Sequence, residues 1–143
     1  MSKSNTFEND LLKLIFNGTP ITGLADNAAT SPLTSLYISL HTADPGETGD
    51  QTTSETAYTG YARMALARTA GGWTVTGNSV SPTAAVEFGE CSAAPGGQIT
   101  HAAIGTDSTG VGKILYSGVL SVPVTMAVGV APRIKTTSTI TEE

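Results

Sequence analysis

From Asn5 the chain first repeats with a helical period: Phe7, Leu11, Leu14 and Ile15 fall at i, i+4, i+7 and i+8 and form one apolar stripe. Asn5 is a capping residue with Glu8 three positions on, Asp10 adds charge near the positive end of the dipole, and Asn17-Gly18 supplies a stop. The spacing predicts one helix over about 5–16. Residues 19–32 hold two prolines and no period, which predicts an extended arm or loop.

From Leu33 the period falls to two. Leu36, Ile38 and Leu40 alternate with Tyr37, Ser39 and His41, the pattern of a strand with one buried face, and Asp44-Pro45-Gly46 ends it. Further strands are predicted at about 61–69, 73–76, 84–88, 98–105, 112–120 and 128–136, with 137–141 as a last one. Turn chemistry separates them: Gly71-Gly72, Gly77-Asn78, Ala94-Pro95-Gly96-Gly97 and Asp107-Ser108-Thr109-Gly110. The expected fold is mainly β, a β-sandwich or jelly-roll-like domain over 33–143 preceded by a short N-terminal α-helix and an extended arm over 1–32. Its thinly charged, Thr-rich edges suit pairing with neighbouring subunits, so self-association is expected.

At 143 residues there is room for a single domain, and 39% hydrophobic with 13% charged residues excludes wholesale disorder. The net charge of −5 and only seven Lys and Arg, scattered from Lys3 to Lys135, exclude a nucleic-acid surface. One cysteine, Cys91, permits no internal disulfide and reads as a buried thiol. The polar start has no apolar signal region and no run is long enough to span a bilayer, so a membrane partner is not expected and the chain is expected to be made in the cytoplasm.

Candidate chemistry is thin. Asp44, Glu47 and Asp50 line the longest irregular segment, 42–60, but their spacing is not that of a calcium loop and reads as a solvated acidic turn. Gly110-Val111-Gly112-Lys113 lacks the flanking residues of a phosphate loop and reads as a hairpin turn. His41 and His101 lie at alternating strand positions without a nucleophile elbow, and no paired spacing with Cys91 supports zinc. Glu87 and Glu90 flank Phe88-Gly89, where a strand end explains them better than paired acid and base. Trp73 with Tyr58 and Tyr61 offers rings for a glycan, yet core filling is the simpler account. Arg63 and Arg68 are five apart and do not form one anion clamp on a strand face. No catalytic, cofactor or metal residues are assigned.

The order of segments Phe7-Glu8-Asn9-Asp10-Leu11-Leu12, then Leu40-His41-Thr42-Ala43-Asp44-Pro45-Gly46-Glu47, then Gly60-Tyr61-Ala62-Arg63 resembles a widespread family of small tailed-bacteriophage virion proteins, often labelled tail-fibre proteins. Ala85-Val86-Glu87-Phe88, Thr100 to Gly105, Leu115 to Leu120 and Gly129-Val130-Ala131-Pro132 fit as well, so the resemblance spans nearly the whole chain. It implies a non-enzymatic β-rich virion component that binds the phage major capsid protein or tail proteins. Chain length without repeats favours a capsid decoration or cement protein over a long fibre; a tail-fibre or tail-tip adaptor binding tail proteins or host glycan is the alternative. The expected contact residues are Phe7, Leu11, Leu14 and Ile15 on the helix and Asp44, Glu47 and Asp50 on the loop.

Overall fold

The computed structural model describes residues 3–21 and 32–142. The chain is mainly β with one N-terminal helix, as the periodicities predict: α1 (Asn5–Asn17) precedes β1 (Ser35–His41), β2 (Met64–Ala67), β3 (Trp73–Thr76), β4 (Ser79–Pro82), β5 (Val86–Glu87), β6 (Ile99–Gly105), β7 (Ile114–Val124), β8 (Arg133–Ile134) and β9 (Ile140–Thr141). Several antiparallel sheets result, in keeping with the sandwich class. The predicted arm falls largely on residues 22–31, outside the described residues. The fold forms two compact units, one of residues 1–35, 66–85 and 134–143, the other of 36–65 and 86–133.

In the first unit α1 packs on β3 and β4 of a three-stranded sheet ordered β3-β4-β9. Its cap is Ser4, one residue ahead of the expected Asn5, and the Ser4 Oγ accepts from Phe7 N–H at 3.4 Å. Gly18 ends the helix in the left-handed region at φ 63°, and Thr19 N–H returns to the Lys13 carbonyl at 3.0 Å. The buried face is Glu8, Leu12 and Phe16, while Phe7 is 38% exposed and Leu11, Leu14 and Ile15 are half-buried. The apolar stripe read from sequence is therefore the flank of the helix. Phe16 meets Trp73 edge-on with centroids 4.8 Å apart, and Trp73 is only 1% exposed. Thus Trp73 is a core ring, as the core-filling account expects.

Arg68 closes the other end of the helix. Its guanidinium donates to the carbonyls of Leu14 (2.7 Å), Ile15 (2.6 Å) and Leu33 (2.8 Å), so a fixed cation meets carbonyls that the last helical turn leaves unpaired. Asn17 donates to the Trp73 carbonyl at 3.1 Å and Asn9 to the Gly77 carbonyl at 2.6 Å, which ties α1 to the β3–β4 hairpin at two points.

In the second unit β1 is central in a four-stranded sheet ordered β2-β1-β6-β7. Leu36, Ile38 and Leu40 are buried as predicted, and so are Ser39 and His41 on the opposite face. Register places Ser39 opposite Ala103 and His41 opposite His101. Tyr58, Phe88, Cys91, Ile99 and Met126 complete this core, with Tyr61 stacked on Phe88 at 6.2 Å. Gly89 lets two loops touch: a Cβ there would run into the carbonyl of Gly60.

Candidate functional site

The long 42–60 segment is fixed to the sheet by a buried polar network. Ser54 takes φ 56°, a left-handed turn rare for a non-glycine residue, and Thr42 N–H donates to its carbonyl at 2.8 Å. The preceding carbonyl, Thr53, faces His41 Nδ1 at 2.8 Å, so that nitrogen must carry the proton. In the neutral ring, Nε2 then accepts from Ser39 Oγ at 2.8 Å. Burial lowers the His41 pKa; the Thr53 carbonyl and Glu55 pull it back only in part, and Arg63 and His101 add to the lowering. Although Ser39 and His41 form a serine–histidine pair, both side chains are 0% exposed, so the hydroxyl does not face a substrate.

Beside this pair lies a charged clamp. Arg63 donates to both oxygens of Glu55, at 2.7 and 2.8 Å, and to the carbonyls of Asp107 (3.0 Å) and Gly110 (2.7 Å). The Glu55 carboxylate raises the Arg63 pKa further, so the charge is permanent. Tyr61 donates to Glu55 Oε1 at 2.7 Å and accepts from Leu40 N–H at 3.1 Å; burial and the neighbouring carboxylate push its pKa up. Gln51, fully buried, accepts from Asp107 N–H at 2.9 Å and donates to the Asp107 carbonyl at 3.2 Å. Its own N–H reaches the Val111 carbonyl at 2.9 Å. Two long loops, 42–60 and 106–113, are thereby held as one rigid piece, and Gly110 to Lys113 form the turn expected of them.

In the same unit an open cleft of about 370 Å³ is lined by Asp44, Gly46, Glu47, Gly49 and the first half of β7, Ile114 to Ser117. Asp44 and Glu47 of the predicted loop contacts line it; Asp50 does not. Asp44 Oδ1 accepts from Gly46 N–H at 2.9 Å, which builds the Asp-Pro-Gly turn. Asp50 Oδ1 accepts from the Thr52 hydroxyl (2.6 Å) and N–H (2.7 Å), and these bonds hold its carboxyl below the usual range. Asp44 and Asp50 are thus each used in a separate backbone turn, and among the described residues no cluster of three or more His, Cys, Asp or Glu is placed to hold a metal.

The other predicted positions sort by element. Phe7, Leu11, Leu14 and Ile15 lie on α1 in the first unit. Glu87 meets Arg133 at 3.3 Å on the surface, and Tyr58 is 2% exposed with its hydroxyl on the Gly89 carbonyl. Arg63 and Arg68 serve unrelated partners, in line with the absence of a shared clamp on one strand face. Sequence reasoning missed Gln51, and it missed the pairing of Glu55 with Arg63. Their only signal was an uncommonly polar loop beside a strand.

Among the described residues, β7 is one surface open to partners. It is an edge of the four-stranded sheet, eleven residues long, and its exposed side chains include Val119 (73%) and Val122 (74%). No described helix is long and apolar enough to cross a membrane. Over residues 2–141 the chain matches the family described as podophage GP4 fiber I protein gp80. No curated protein matches it.

Proposed function

Since the chain belongs to the podophage GP4 fiber I protein family and is in consequence a phage virion structural protein of a fibre-like kind, we propose that it acts there by binding alone, as a compact non-enzymatic subunit at the fibre. The observation that carries this reading is the family match over nearly the whole chain. Its fold supports a module rather than a shaft: the sheets are short and antiparallel, and among the described residues no strand exceeds eleven residues. The placement of several reactive side chains supports binding without turnover. Ser39, His41 and Cys91 are 0% exposed, and Glu87 is paired with Arg133.

Its partners are other virion proteins and its own copies. Each contact need only be modest, because repeated attachment on one particle compounds weak affinities. The contact surfaces are the exposed flank of α1 around Phe7 and the second unit's β7 with its neighbouring cleft. Decoration of the head is the second reading, favoured by the lack of repeats in the sequence. Immunogold labelling of purified particles separates the two. Gold at the tail supports the fibre reading, and gold over the head overturns it in favour of decoration.

A further inference from the structure

The four-stranded sheet ends on one side in β2, four residues long, and on the other in β7, eleven residues long. An edge strand presents a row of N–H and C=O groups ready to pair, and proteins commonly protect such edges by keeping them short or charged. β2 is short. β7 is neither short nor charged: from Ile114 through Pro132 the sequence has no charged residue, and Val119 and Val122 stand 73% and 74% exposed. Its guards are Pro123 and two irregularities in its pairing with β6, at Leu115 and over 120–123, which leave Tyr116 to Val119 in regular register.

We propose that β7 pairs antiparallel with β7 of a second copy about a twofold axis at Val119, joining two four-stranded sheets into one. This rests on the reading of the chain as a self-associating virion subunit, and names the surface. Three observations select this occupant. Length is the first: β7 against β2 would leave most of β7 unpaired and would build an open-ended string, whereas β7 against itself uses the whole strand and closes. Charge is the second, because copies with a net charge of −5 repel except where they meet on a neutral surface.

Register is the third. Pairing about the strand's midpoint sets Ile114 against Val124, Tyr116 against Val122 and Val119 against itself, so large apolar residues face one another. Lys113 then falls beside Thr125, with no like charge opposite. Val119 then faces its own copy with Cα atoms about 4.5–5.5 Å apart, the span of either type of antiparallel pair, which lies within disulfide reach.

Sedimentation velocity of the full chain at increasing concentration, with two variants, tests this. Wild type is expected to form a dimer. Val122→Lys is expected to weaken it roughly tenfold, since the twofold repeats the lost contact, with an unchanged circular dichroism spectrum. Val119→Cys under mild oxidation is expected to give a disulfide-linked dimer, while Val128→Cys, 66% exposed outside β7, is expected to give none. If Val122→Lys perturbs the fold, the cysteine pair decides alone. Cross-linking no faster at Val119 than at Val128 overturns the inference. A dimer that forms in Val122→Lys as in wild type overturns the β7 surface and leaves self-association standing. A wild type that stays monomeric overturns both, while membership of the virion is read separately from purified particles.

Discussion

Arg63 grips Glu55 with two prongs, at 2.7 and 2.8 Å, and only 3% of the arginine side chain reaches solvent. The same guanidinium donates to the carbonyls of Asp107 and Gly110, so a single side chain joins the 42–60 and 106–113 loops. Removing the arginine leaves the Glu55 charge without its counter-ion and takes one donor each from the Asp107 and Gly110 carbonyls. Arg63→Met is expected to lower stability by about 3–5 kcal/mol in urea denaturation. Glu55→Gln keeps one acceptor for Tyr61 and Arg63 and is expected to cost less.

The helix gives a contrast between neighbours. Leu12 and Phe16 are 0% exposed, so Leu12→Ala is expected to cost about 2–5 kcal/mol and Phe16→Ala about 3–5 kcal/mol. Phe7→Ser, on the exposed flank, is expected to change stability by no more than about 0.5 kcal/mol. If that flank meets a virion partner, Phe7→Ser lowers incorporation into particles while the isolated chain melts as wild type. Equal incorporation of both chains in a mixed infection would remove α1 from the contact surface.

The end of α1 depends on Arg68 in the same way. Arg68→Met keeps much of the stem but loses three bonds to backbone carbonyls. The expected effect is about 1–3 kcal/mol, with faster amide exchange confined to the last turn of the helix. Uniformly unchanged exchange would show that Gly18 and Thr19 end the helix unaided.

Acid and base act on opposite ends of the network. The His41 pKa in the fold lies below the unfolded value near 6.5, so the unfolded chain takes up more protons as pH falls. Its contribution to stability is full above about pH 6.5 and is lost as pH drops below that value. Tyr61 runs the other way: its raised pKa means that the unfolded chain ionises first, and stability falls as pH rises past about 10. Urea midpoints across pH, compared with His41→Gln and Tyr61→Phe, check both signs. A flat acid limb in wild type would contradict the assignment of His41 as a neutral, buried ring.

Much of the fold was legible in the sequence because burial imposes a period on it. Leu36, Ile38 and Leu40 announced β1, and Trp73 to Thr76 was placed to the residue. On α1 the buried face of Glu8, Leu12 and Phe16 was not legible because a carboxylate, Glu8, lies on it, while the apolar stripe of Phe7, Leu11, Leu14 and Ile15 is the flank. Strand β4 went unpredicted: Ser79-Val80-Ser81-Pro82 has one large apolar residue, and its pairing with β3 and β9 supplies what its own composition does not. Gln51 was invisible because its side chain pairs with the backbone of Asp107, 56 residues away, and the Glu55–Arg63 pair because its eight-residue spacing crosses a loop with no regular period.

The central claim, that this chain is a fibre-associated structural subunit acting by binding, is tested most directly by its copy number per purified virion, measured by quantitative mass spectrometry against the major capsid protein. The account predicts a small fixed number of copies in every particle. A ratio near one per capsid subunit would contradict the fibre placement, and absence from the particle would contradict the claim itself.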